Sequence, residues 1–115
     1  MKTNENIVVV KSKRFALEVI ATYKKLVSER KEYVLSKQFL RSGTSIGANI
    51  REAQRGQSKA DFIAKMSISL KEADESAYWL ELLHESGYLD PQEFKMLYAL
   101  CDELIRILVS ITKHC

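Results

Sequence analysis

The chain has 115 residues, 46% apolar and 29% charged, with a formal net charge of +3, which suits one globular domain and excludes a disordered or collagenous class. No apolar run approaches the roughly 20 residues that span a bilayer, and Ile7–Val10 is too short for a signal core of about 7–15 residues, so a cytoplasmic protein is expected. The two cysteines, Cys101 and Cys115, form no Cys-x-x-Cys pair and exclude a disulfide framework. Cys101 falls in an apolar helical stripe and reads as a buried thiol, whereas Cys115 is expected to be exposed.

One proline and four glycines leave room for long helices. Residues 1–11 carry no clear helical signal and read as an N-terminal extension, with Ile7–Val10 a short strand or packed tail. The rest, 12–115, reads as one helical domain. A first helix is expected over about Ser12–Glu29, with Phe15, Val19, Tyr23, Leu26 and Val27 at 3/4 spacing. A second runs from about Glu32 to Arg55, with Leu35, Phe39, Gly43, Ile46, Ile50 and Ala53 on one face. Its segment RSGTSIGANIREA looks at first like a phosphate loop. It lacks the lysine and the preceding strand that such a loop requires, and the glycines lie on or beside the apolar face. Two interior glycines cost about 2 kcal/mol relative to alanine, which predicts that another helix approaches closely at Gly43 and Gly47.

A third helix starts at Ser58-Lys59-Ala60-Asp61, a serine N-cap with an acid at N3, and stops near Ser86 before Gly87, a C′ glycine. Its core stripe is Phe62, Met66, Ser69, Leu70, Ala73, Ala77 and Leu80. A fourth opens on Asp90-Pro91-Gln92-Glu93, with N-cap, N1 proline and N3 glutamate, and ends near Lys113. Its core residues are Phe94, Leu97, Cys101, Leu104, Ile105 and Leu108. Four amphipathic helices with short connections predict an all-α, antiparallel up-down-up-down four-helix bundle.

Two helices carry more apolar surface than one core requires. Ile68, Trp79 and Leu82 lie opposite the core stripe of the third helix, and Met96, Leu100 and Ile107 widen that of the fourth. They predict a contact surface used for self-association.

Charge is divided unevenly. Residues 1–65 hold 14 lysines and arginines against six acids, and residues 66–115 hold four against nine. This reads either as an anionic partner or as internal pairing between halves. Lys37, Arg41, Arg51 and Arg55 share the outward face of the second helix over about 27 Å at 1.5 Å per residue, a strip able to follow phosphates without reading bases. Lys13, Lys24 and Lys25 extend it; no aromatic residue is interleaved for stacking. Ser42, Ser45, Asn49 and Glu52 form a polar strip beside the core, read as a hydrogen-bonded seam. Glu72, Asp74 and Glu75 read as a solvated acidic face or salt-bridge partners. Glu81-x-x-His84 has the i, i+3 spacing of di-iron bundle ligands, but a second motif is missing because the other histidine, His114, follows Ile111 rather than a glutamate. With no metal, cofactor, small-molecule substrate or nucleophile–base set in view, an enzyme is not expected.

The stretch from Gln38 to Leu83 resembles the 23S rRNA intervening-sequence proteins. The resemblance rests on QFLRSGTSIGANIREA, on the helix start Ser58-x-x-Asp61-Phe62, and on SLKEADESAYWLELL. It implies a bacterial four-helix bundle that assembles as a homopentamer, with no catalytic residues to carry over. A fold-related accessory protein of diversity-generating retroelements works with a reverse transcriptase and RNA, which by analogy favours RNA or DNA as a partner. The expected function is therefore a non-enzymatic homo-oligomer that binds nucleic acid through its basic strip. The alternative is a scaffold that binds another protein without nucleic acid.

Overall fold

The computed structural model describes residues 3–113, with side chains from residue 7 onward; His114 and Cys115 lie outside the described residues. Four helices account for nearly all of it: α1 (Thr3–Arg30), α2 (Leu35–Gln54), α3 (Lys59–Glu85) and α4 (Pro91–Lys113). No strand occurs among the described residues.

The first helix begins nine residues earlier than its periodicity suggested, and residues 3–11 of the segment read as an extension are part of it; residues 1 and 2 lie outside the described residues. Its buried stripe is Val8, Ser12, Phe15, Val19, Thr22 and Leu26, a regular 4-3-4-3-4 spacing. Two polar members, Ser12 and Thr22, hide that stripe from a reading based on apolar residues alone. Ser12 satisfies its hydroxyl locally by donating to the Val9 carbonyl at 3.1 Å. Tyr23 and Val27, expected in the core, are only half-buried.

The connections are short because each helix end is satisfied within a few residues. At the end of α1, Lys31 takes a left-handed φ of 55°, and the Glu32 N–H reaches back to the Leu26 carbonyl at 3.1 Å. Glu32 then caps α2: its carboxylate accepts from the backbone N–H groups of Val34, Leu35 and Ser36 at 3.1, 3.0 and 2.6 Å. This satisfies three of the four donors a helix start leaves open. Ser58 caps α3 by accepting from Asp61 N–H at 3.0 Å. Gly87, at φ 89°, closes α3, with the Tyr88 N–H on the Leu83 carbonyl at 2.8 Å. The reciprocal capping box of α4 is present: Glu93 N–H donates to Asp90 Oδ1 at 2.7 Å, and Asp90 N–H to Glu93 Oε1 at 3.3 Å.

Each helix packs on its neighbours in chain order and α1 also packs on α4, whereas among the described residues no Cα of α1 comes within 8 Å of one in α3, nor any of α2 within 8 Å of one in α4. Pairings fall on one helix as they rise on the next. Ser12 faces Gly47 and Val19 faces Gly43; Lys65 pairs with Glu52, and Arg41 with Glu72 and Glu75. The core is one apolar cluster along the axis, running from Val8 and Ile111 at one end to Leu26 and Leu89 at the other.

The close crossing expected at the glycines is with α1. A Cβ added at Gly43 would lie 2.8 and 2.9 Å from the two methyl groups of Val19, which is fully buried. At Gly47 the nearest atom would be the Ser12 hydroxyl at 3.3 Å. On its other side α2 meets α3 through buried hydroxyls: Ser42 and Ser76 pair at 2.8 Å, and Ser69 donates to the Ile46 carbonyl at 2.8 Å.

Gly43→Ala is expected to destabilise the fold by about 1–3 kcal/mol through overpacking against Val19, despite the roughly 1 kcal/mol gain in helix propensity, while Gly47→Ala stays near neutral; urea denaturation of the two variants compares them directly. Glu32→Ala is expected to cost about 1–2 kcal/mol at neutral pH by uncapping α2. Burial opposes ionisation of Glu32, but the hydrogen bonds from Ser36, Leu35 and Val34 outweigh it and hold the carboxyl below its ordinary value. Its stabilisation is thus present above the unfolded carboxyl's value and lost as pH falls through the lower folded one. Denaturation midpoints of wild type and Glu32→Ala should therefore converge towards strong acid; a constant difference down to that range would contradict the cap.

Candidate nucleic-acid interface

All four cations of the expected strip, Lys37, Arg41, Arg51 and Arg55, are exposed on α2 or at its C-cap. The structure divides them. Arg41 leans towards α3, where its guanidinium pairs with Glu72 at 3.1 Å and with Glu75 through its other amino group. Both carboxylates raise the Arg41 pKa through hydrogen bonds, Glu72 first, and Arg41 in turn holds Glu75 below its ordinary value, helped by the Trp79 indole. Arg41 is therefore largely spent on its own protein. Lys37, Arg51 and Arg55 have no acid within 4 Å among the described residues.

Arg51 stands on the α1 side of α2. With Val9, Ser12, Lys13, Ala16, Thr44, Gly47, Ala48 and Ile50 it lines a shallow groove of about 160 Å³. The small side chains that let α1 and α2 approach also leave this groove open, and Lys13 and Arg51 supply its positive charge. Lys25, by contrast, donates to Glu93 at 2.8 Å, and that hydrogen bond raises its pKa.

Trp79 joins this surface from α3, although no aromatic residue is interleaved on α2 itself. Its Nε1–H donates to Glu75 Oε2 at 3.0 Å, so Arg41, Glu75 and Trp79 form a continuous chain. Tyr78, half exposed, lies against it with ring centroids 5.3 Å apart. A pattern confined to one helix could not show this, because the aromatic and the cation lie on different helices.

The expected contact residues also divide. Trp79, Leu100 and Ile107 are half-buried and pack against the core cluster; Leu82 is half-buried. Ile68 and Met96 are exposed, at 41% and 40%. The most exposed apolar side chains on a helix are Val10, at 68%, and Leu17, at 58%, both on α1 and both missed by the sequence reading. In the polar strip only Ser42 is buried. Ser45 and Asn49 bond to backbone carbonyls of their own helix, at 2.6 and 2.9 Å, and Glu52 is an exposed partner of Lys65.

Glu81 and His84 each turn to α4. Glu81 accepts from the Tyr98 hydroxyl at 3.0 Å. His84 stacks on Phe94 at 4.3 Å between centroids, and its Nδ1–H donates to the Leu89 carbonyl at 3.2 Å. No group of three potential metal ligands clusters among the described residues. Cys101 Sγ lies 3.2 Å from the Ala73 carbonyl, and burial pushes its thiol up to about 12, which makes it a poor nucleophile. Among the described residues no helix is long and apolar enough to cross a membrane.

Fold and surface together define an all-α, four-helix protein whose chemistry lies on helix faces. A family model described as 23S rRNA-intervening sequence protein matches residues 4–110, and the chain belongs to that family. It is similar to a crystal structure of a protein of unknown function from the S23 ribosomal protein family of Bacteroides thetaiotaomicron, with 50% identity, a TM-score of 0.95, and coverage of 96% of this chain and 99% of that one. No curated protein matches the sequence.

Trp79 is the only tryptophan, so its emission reports the Arg41–Glu75–Trp79 chain without labelling. Arg41→Ala is expected to shift that emission by freeing the Glu75 carboxylate, at a stability cost of under about 1 kcal/mol because the ion pair is exposed. Steady-state fluorescence and a denaturation curve check both parts; unchanged emission would mean that Arg41 does not organise the tryptophan.

Proposed function

We propose that the protein is a non-enzymatic, cytoplasmic, antiparallel up-down-up-down four-helix bundle that associates with copies of itself, as a pentamer by its family resemblance, and binds the phosphate backbone of RNA or DNA through the basic face of α2. The falling and rising contact registers support the antiparallel order. Exposed apolar side chains on α1, α3 and α4 support self-association. The observation that carries nucleic-acid binding is the set of exposed cations without described acid partners, Lys37, Arg51 and Arg55, with Arg51 and Lys13 flanking the α1–α2 groove. Phosphate contacts of this kind give affinity and little sequence preference, and assembly multiplies them.

Fluorescence anisotropy of labelled structured RNA and duplex DNA, titrated with nuclease-treated protein at several salt concentrations, tests the reading. Wild type is expected to bind with a steep negative salt slope. Replacing Lys37, Arg51 and Arg55 together by alanine should weaken binding at least about tenfold and flatten the slope by roughly 0.9 for each phosphate that is no longer neutralised. Arg41→Ala should have little effect, since its charge is already neutralised. Absence of wild-type binding at low salt would remove nucleic acid from the proposal and leave the protein-binding scaffold.

A further inference from the structure

The outward faces of α1 and α3 carry a pattern that the core uses only in part. On α1, Val10, Lys13, Leu17, Ile20 and Lys24 recur at alternating steps of three and four residues, the spacing of a helix–helix seam. The helix already has one such seam in Val8, Ser12, Phe15, Val19, Thr22 and Leu26, which is buried. The second lies on the other side and is solvated: Val10 and Leu17 are 68% and 58% exposed, Lys13 and Lys24 are exposed, and only Ile20 is half-buried. On α3 the same steps connect Ala64, Ile68, Lys71, Glu75, Tyr78, Leu82 and Glu85, opposite its buried residues Met66, Ser69, Ala73, Ser76, Ala77, Leu80 and Leu83. Here Ile68 is 41% and Tyr78 54% exposed. Since α1 packs beside α2 and α4 and has no Cα within 8 Å of α3, the two helices sit diagonally across the fold, and their outward faces look in opposite directions.

Their charges differ in sign. The α1 face carries Lys13 and Lys24, with Arg14 and Glu18 on its flank; none of the three cations lies within 4 Å of a described acid. The α3 face carries Glu75 and Glu85, flanked by Asp74 and Glu81, against one cation, Lys71. Glu75 shares its charge with Arg41, whereas Asp74 and Glu85 have no described cation partner. Pairing two α1 faces sets lysine against lysine, and pairing two α3 faces sets acid against acid. Only α1 against α3 joins aliphatic residues to aliphatic residues with charges of opposite sign around them.

We infer that the outward face of α1 docks onto the outward face of α3 of a second copy. This rests on the self-association proposed above and adds which surfaces meet. The contact is head-to-tail: every copy keeps one face of each kind, so the interaction repeats until it closes into a ring or continues as a filament.

Two variants at exposed positions separate this arrangement from any other. Val10→Asp/Leu17→Asp disables the α1 face and Ile68→Asp/Tyr78→Asp the α3 face. By light scattering after size exclusion, wild type is expected to be oligomeric and each variant monomeric. Mixed one to one, the variants should form a heterodimer that grows no further, because each supplies the face the other lacks. Circular dichroism confirms that the variants keep their helices. If an aspartate variant unfolds, the charge-reversed Lys13→Glu/Lys24→Glu protein gives the second measurement, with assembly weakened about fivefold or more at low salt. A monomeric wild type would overturn both this inference and the self-association it rests on. An oligomeric wild type whose folded variants still assemble alone, or fail to combine when mixed, would overturn the α1–α3 contact and leave self-association standing.

Discussion

The position of α2 between α1 and α3 depends on what its two flanks lack. Towards α1 it presents Gly43 and Gly47, and the Val19 methyl groups occupy the space where the first side chain would begin. Towards α3 it presents Ser42, which meets Ser76 hydroxyl to hydroxyl, while Ser69 reaches the Ile46 carbonyl. Small apolar residues allow the first approach and short hydroxyls the second, since a serine this deeply buried must find a partner within its short reach. A helix held this closely on both sides has a fixed rotation. That rotation sends Arg41 to the acids of α3, sets Arg51 at the lip of the α1–α2 groove, and leaves Lys37 and Arg55 pointing outward.

The uneven charge of the chain acquires a structural meaning from the same arrangement. Lys11 with Glu103, Lys25 with Glu93, and Arg41 with Glu72 and Glu75 all join the basic first half to the acidic second half. These are exposed pairs and each contributes little to stability; their effect is to settle which charges remain. Of what remains, Lys13, Arg14 and Lys24 on α1 and Lys37, Arg51 and Arg55 on α2 outnumber the unpaired acids described on those helices, Glu18 and Glu29, whereas on α3 Asp74 and Glu85 stand unpaired beside Lys71. Internal pairing and an anionic partner are therefore compatible explanations of one asymmetry, with pairing removing part of the charge and exposing the rest as a patch.

Much of the fold was legible because its signals are local. Ser58, Asp90-Pro91-Gln92-Glu93 and Gly87 stop or start helices through atoms two to five positions away, and they do so in the structure. The start of α1 was not legible, because Ser12 and Thr22 interrupt an apolar stripe that is nonetheless buried; a serine opposite a glycine reads as polar in one helix and as small in a pair. The cap of α2 was missed for a related reason, since Glu32 acts from two residues before Val34, the formal N-cap, and not from the cap itself. In the candidate interface, the four cations of α2 could be placed on one face, but the diversion of Arg41 and the arrival of Trp79 depend on α3. Single-helix periodicity holds no record of either.

The two proposed surfaces are geometrically compatible. In a cycle of four helices, the α1 and α3 faces lie on one diagonal and those of α2 and α4 on the other. A head-to-tail contact along the first diagonal leaves the outward side of α2 uncovered in every copy, with Lys13 at the border between the two surfaces. Successive copies then present Lys37, Arg51 and Arg55 at a repeat set by the helix-to-helix contact, so a phosphate backbone bound to one copy meets the next at high effective concentration. The Met96 side chain of α4, exposed on the far side, remains outside both surfaces. In this arrangement the extra apolar stripe of α3 serves assembly. Leu100 and Ile107 of α4 serve mainly the protomer's own core, whose edge they already cover.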